Sequence, residues 1–372
     1  MAHYFEFVDK DATITRGQEA DSTGSSKNMG ADEILEVGKE FLADSNTIKS
    51  ISRTLIKFDL SEISQSIIDG DVPASASYYL NMYDAGSGEL MENQTLWIYA
   101  VSQSWTEGAG YKSDNPQTTD GVSWKYRDSG STQWTSTISS SNWGGTTHSL
   151  SAACGSLYSY QSFNKDEKVD MRVNVSQMVY GWLSGSVANE GFLIQRTADD
   201  ETSTTRFGIS KFFSSDTHTV FPPKLEIVWE DDTWETGSLS GLNAQELERL
   251  KIRVENFRGN YKVGAVTKIR VRGRELYPAK NFTTTSSYLD TKYLPSGSSF
   301  YSIVDANTND VIIPYGSGSK LSCDSTGNYF NLRTQGLFPE RFYKINFQII
   351  SGSGINRNID YFDDDRVFKV ER

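Results

Sequence analysis

From Ala12 to Glu230 the chain is a succession of short stretches in which apolar and polar residues alternate, separated by Gly, Ser, Asn and Asp. They include ATIT (Ala12–Thr15), RTLIKFDL (Arg53–Leu60), SYYLNMYD (Ser77–Asp84), TLWIYAVS (Thr95–Ser102), EGFLIQRT (Glu190–Thr197), GISKFF (Gly208–Phe213) and KLEIVWE (Lys224–Glu230). A period of two turns one face of each stretch inward. In TLIKFDL, Ile56, Phe58 and Leu60 point one way and Leu55 and Lys57 the other. Helices do not alternate with these strands, so the spacing predicts an all-β fold, a sandwich or jelly roll, rather than βαβ units. Composition agrees. Hydrophobic residues make up only 37%, yet aromatics reach 12% and Gly numbers 30, a balance that suits sheets better than helices.

One stretch has helical periodicity. In NVSQMVYGWLSG (Asn174–Gly185), Val175, Met178, Val179 and Trp182 recur at i, i+3, i+4 and i+7, and Gly185 closes the run. It predicts a short helix laid over an open end of the sandwich, with its Met and Trp stripe in the core. Phe58, Trp105, Trp182 and Trp229 are the expected large core side chains.

With 372 residues the chain has room for two or three domains. A boundary is expected at EDDTWETGSLSGLNAQELERL (Glu230–Leu250), where acidic residues give way to Gly and Ser and NAQE (Asn243–Glu246) can cap one helical turn. Beyond it a second strand series begins: KIRVENF, AVTKIRVRG, SFYSIVDA, DVIIPYG, GNYFNLRT and RFYKINFQII. The expected domains are residues 1–232, a jelly-roll-like sandwich with an insert at about 111–155, and residues 240–372, an immunoglobulin-like or related β-domain.

The formal net charge of −12 argues against nucleic-acid binding, because phosphate neutralisation needs a basic face. The opening MAHYFEFVDKDATIT has no basic n-region and no apolar h-region, and no run of 18 apolar residues occurs, so neither a secretory signal nor a membrane insertion is expected. Two distant cysteines, Cys154 and Cys323, give little basis for a disulfide framework. Synthesis in a reducing cytosol fits all of this.

Chemistry is sparsely represented. His3, His148 and His218 have no nucleophile elbow or reactive-cysteine context, so no catalytic residue is expected. The acidic clusters Asp9–Asp11, Asp199–Glu201, Glu230–Asp232 and Asp363–Asp365 lack the ligand order of a calcium loop and read as solvated turns; no metal or cofactor is expected. Glu107, in SWTEGAGY, follows a large aromatic at a strand end. A sugar site has that look, and so does a loop-end carboxylate that accepts backbone N–H groups. The insert adds Trp124, Tyr126, Trp134 and Trp143, flanked by Lys125, Arg127 and Asp128. They suit either a ligand platform or packing and interface anchoring.

Five stretches appear in the order of a known family: DKDATITRG (Asp9–Gly17), SRTLIKFDLSEI (Ser52–Ile63), LWIYAVSQSWTEGAG (Leu96–Gly110), VNVSQMVYGWLSGSVANEGFLIQ (Val173–Gln195) and ISKFFSSDTHTVFPPKLEIVWE (Ile209–Glu230). On these the first 230 residues resemble the DNRLRE-type β-sandwich family, whose members include polysaccharide-binding modules and disaggregatase-associated domains. The resemblance implies a sandwich in which the Trp105 indole caps the core. The insert, Tyr111–Gly155, is longer than the family's usual connection and is similar to versions carried by virion proteins of tailed bacteriophages. YLPSGSSFYSIVDANTNDVIIPYG and GLFPERFYKINFQI resemble phage structural proteins more weakly. Together they imply a non-enzymatic component of a virion tail, baseplate or neck, assembled in the host cytoplasm. Its partners would be other virion proteins and copies of itself. The alternative is a carbohydrate-binding or receptor-binding module that recognises a host surface glycan.

Overall fold

The structure, a computed structural model, describes all residues except 1, 18–23, 44, 89, 136–142, 149–150, 153–154, 165, 168, 278–289 and 353. Strands dominate it, and the fold is all-β. The chain divides into two compact units, Glu6–Glu226 and Ile227–Arg372, the second joined by the N-terminal residues up to Phe5. The division falls inside the strand Lys224–Trp229, ahead of the boundary expected at Glu230–Leu250. Phe5 belongs to the second unit's core, which is why the N-terminal residues group there.

The first unit contains a seven-stranded sheet in the order Ile209–Phe213, Ile34–Phe41, Ile48–Lys57, Phe192–Gln195, Asn93–Ala100, Tyr158–Asn164, with Lys10–Arg16 also paired to Ile48–Lys57. A second sheet of this unit pairs Ser77–Met82 with Met171–Asn174. Along Asn93–Ala100 the alternation is strict: Gln94, Leu96, Ile98 and Ala100 are buried, and Thr95, Trp97 and Tyr99 face outward.

The strand Ile48–Lys57 departs from the one-sided reading. Ile56 and Leu55 are both fully buried. Leu55 sits with Ala12, Ile14, Ile51 and Leu193 in a second core under Trp105, Val122, Trp124 and Trp134. The insert therefore lies on the sheet's outer face as a further layer, so both faces of this strand are dry.

The predicted helix forms over Ser176–Leu183, with Met178, Val179 and Trp182 buried and Gly185 beyond it at φ +71. Trp182 meets Phe192 of the seven-stranded sheet at a centroid distance of 4.7 Å. Two helices were not expected, Ser61–Ile68 and Ala198–Thr202. The second replaces the solvated turn expected at Asp199–Glu201. Thr197 caps it by accepting from the Asp200 N–H, and Glu201 turns inward to pair with Arg53. The capped turn at Asn243 is present, reciprocally bonded to Glu246.

The second unit is a β-sandwich. One sheet runs Ser240–Gly241, Lys292–Tyr293, Val266–Glu275, Gly327–Arg333, Ser322–Asp324, with Leu250–Glu255 paired to Val266–Glu275; the other runs Asn260–Lys262, Asn358–Glu371, Phe342–Ser351, Ser299–Asp305, Val311–Ile313. Their inner residues share one core, in which Tyr301 and Phe330 stack 4.1 Å apart. Asp363–Asp365, expected as a solvated turn, instead forms an irregularity within the last strand. Asp365 takes φ +55, and the register against Phe342–Ser351 shifts there. Asn260–Lys262 covers only residues 369–371 of that strand, so among the described residues its outer edge from 358 to 366 has no partner strand.

Candidate functional site

The turn after Trp105 is built from the inside. Trp105 is 3% exposed, and its Nε1 donates to the Glu190 carbonyl at 3.0 Å. Lys10 lies 4.3 Å from the ring centroid and donates to the Trp105 carbonyl. Glu107 Oε1 accepts the Asp11 N–H at 2.7 Å, the turn-satisfying role, and Asn28 Nδ2 holds the Glu107 carbonyl at 2.5 Å and that of Val122 at 2.8 Å. A side chain at Gly108 (φ +83) would strike Asn28 at 2.4 Å, so glycine is required there.

Asp11 contradicts the solvated reading of its cluster. It is fully buried, its Oδ2 accepts the Ser215 N–H at 2.7 Å, and its Oδ1 has no hydrogen-bond partner. Burial pushes its carboxyl up to about 8, and the neighbouring Glu107 and Asp216 carboxylates push the same way. Burial also raises Glu107.

The four insert aromatics separate into two kinds. Trp124 and Trp134 are core, at 6% and 3% exposure, so neither offers a face to a ligand. Arg53 stacks 4.5 Å from the Trp124 centroid, and Trp134 Nε1 donates to the Ser123 carbonyl at 3.0 Å. They are buried because they cover Leu55, Ile51 and Leu193. Tyr126 is half-buried and Trp143 is 40% exposed, with Lys125 about midway between their rings at 5.1 and 5.0 Å. Phe58, Trp182 and Trp229 are buried as expected of core residues. Cys154 lies outside the described residues, and Cys323 is a buried thiol.

A further aromatic cluster stands on the paired strands Asn93–Ala100 and Tyr158–Asn164. Cross-strand pairing sets Thr95 opposite Ser162, Trp97 opposite Tyr160 and Tyr99 opposite Tyr158, all on the outer face. Trp97 lies 4.9 Å from Tyr160, 5.8 Å from Tyr158 and 6.3 Å from Tyr99, with ring planes within 15° to 35° of one another. Tyr160 is 56% exposed. The Thr95 and Ser162 hydroxyls bond each other at 2.9 Å at one end of this ladder. In the sequence TLWIYAVS reads as a strand, and nothing local gives its outward residues a role. The signal was present: Trp97, Tyr99, Tyr158 and Tyr160 share one alternation parity across paired strands, but the pairing partner is visible only in the fold.

The described residues hold no group of three or more His, Cys, Asp or Glu placed to bind a metal ion. His148 has its imidazole pKa lowered by burial, and its Nε2 has no hydrogen-bond partner. No helix is long and apolar enough to cross a membrane.

No family model matches the sequence, and no curated protein matches it. Among solved structures, a DUF4785 family protein from Legionella pneumophila aligns with the whole of this chain at 7% identity and a TM-score of 0.20. The chain spans 65% of that protein's length, and a likeness this slight carries no argument.

Proposed function

We propose that this chain is a non-enzymatic structural component of a tailed-bacteriophage virion, in its tail, baseplate or neck, held by protein–protein contacts through its sheet faces. The observation that carries the reading is the aromatic ladder. Trp97, Tyr99, Tyr158 and Tyr160 stand together on an outer sheet face, and Tyr160 is more than half exposed. Trp and Tyr are the residues that anchor protein interfaces, since they bury much area at little conformational cost. The phage-like stretches in both halves support the same reading. So does the β-architecture, which suits a particle that must persist outside a cell through slow unfolding. Negative-stain imaging of particles labelled with an antibody to the chain is the test. Label on intact particles is expected, and unlabelled particles end the proposal.

Glycan recognition from the virion surface is a second reading favoured by the ladder itself. Rings inclined by 15° to 35° beside a hydroxyl pair offer an apolar face and polar contacts at once. A glycan array with purified protein distinguishes it. Saturable binding lost in Trp97→Ala, and retained in Trp143→Ala, supports this reading; a blank array leaves protein contacts as the ladder's role.

A further inference from the structure

The outer face of the larger sheet in the second unit is basic. Along Val266–Glu275, Ile269, Val271 and Gly273 point into the core while Lys268, Arg270, Arg272 and Arg274 point out. Leu250–Glu255 adds Lys251 and Arg253 on the same side. Pairing places Lys251 directly opposite Arg274 and Arg253 directly opposite Arg272. Like charges set opposite each other across a sheet destabilise it. An ordinary solvent-facing sheet avoids the cost by mixing signs.

Some compensation is present. Asp324 pairs with Lys268 at 2.9 Å and Arg270 at 2.6 Å, and Glu255 with Arg272 at 3.1 Å. Lys251, Arg253 and Arg274 have no ion pair among the described residues, and all three are exposed. The face thus keeps an uncompensated cationic patch on a chain of net charge −12.

The rest of the charge is distributed to match. Residues 6–226 hold 17 basic and 30 acidic side chains, and residues 227–372 hold 19 and 18. The whole negative excess therefore lies in the first unit. We infer that the basic sheet face docks on the acidic first unit of a second copy of this chain, in a head-to-tail contact. Such a heterologous contact repeats, closing into a ring if the rotation allows and otherwise extending. A second copy brings the complementary surface at equal stoichiometry. A nucleic acid, by contrast, would meet the repulsion of a strongly acidic chain.

Sedimentation velocity of the full chain across concentration, at low and high salt, tests this. Association at low salt that weakens at high salt is expected. Arg253→Glu with Arg274→Glu, both at exposed positions, should weaken it by about tenfold or more. Arg253→Lys with Arg274→Lys should preserve it, and unchanged thermal unfolding shows that both variants fold. Because the reversed chain keeps its acidic surface, mixing it with wild type should shorten the assemblies. A monomer at every concentration in low salt overturns the inference, as does association indifferent to the reversal. Tighter binding of a labelled oligonucleotide, lost on reversal, would assign the face to nucleic acid instead. A monomer that nevertheless labels intact particles would end this inference and leave the virion role standing.

Discussion

At the scale of residues, Trp105 and Glu107 show how far a short motif can be read. SWTEGAGY announces a large aromatic at a strand end followed by a turn, and the structure makes Trp105 a core cap and Glu107 an acceptor for backbone. Trp105→Ala should cost about 3–5 kcal/mol, as truncating buried aromatics does. Urea unfolding measures it, and an equally stable variant would mean the core lies elsewhere. Asp11 was not legible, because DKD in a sequence looks like any solvated turn and its burial comes from elements up to 204 residues away. Its carboxyl sits near 8 in the fold and near 4 in an unfolded chain. Between those values the unfolded chain gives up a proton the folded chain keeps, so Asp11 makes stability fall as pH rises from about 4 to about 8. Asp11→Asn should flatten that component and gain stability relative to wild type toward pH 8. Unfolding midpoints of both proteins across this window decide it; parallel profiles would mean that Asp11 is ionised in the fold.

Single elements were legible where one side of them meets water. Asn93–Ala100 alternates as written, and Ser176–Leu183 follows its apolar stripe. Ile48–Lys57 misled, since Leu55 and Ile56 are adjacent and both buried, and nothing local says that Trp124 and Trp134 will cover the second face. Ser61–Ile68 escaped because only Ile63 among its residues is buried, leaving too faint a stripe. The helix Ala198–Thr202 is tied to the covered face by Arg53, whose Nη2 lies 2.6 Å from Glu201 Oε2 and which also donates to the Gly144 carbonyl. With side chains 15% and 8% exposed, this is a nearly dry ion pair. Glu201→Gln should destabilise by about 3–5 kcal/mol, because it strands the Arg53 charge. Arg53→Met combined with Glu201→Leu should recover much of that loss. Chemical denaturation of the single and double variants checks both, and equal losses would show that the guanidinium acts mainly through Trp124 and Gly144.

For the whole molecule, composition sufficed for the all-β class, and the change of texture after Glu230 announced a second domain. The charge average was less informative than it looked, because −12 hides an acidic first unit and a nearly neutral second one with a basic face. A chain with an isoelectric point near 4.9 should be least soluble around that pH, where net repulsion vanishes. Turbidity of a concentrated solution titrated from pH 7 to pH 4 should peak there, and a featureless titration would contradict it. The last strand bears on how such a chain accumulates. Its open edge carries Asp360 and Asp363–Asp365, with a left-handed kink at Asp365. Charges and irregularities of this kind blunt an edge against pairing with another strand. Uncontrolled polymerisation by strand addition is closed off at that margin. Copy number can then be decided by the fit of one surface to another, so accumulation of the chain at high concentration need not end in fibres.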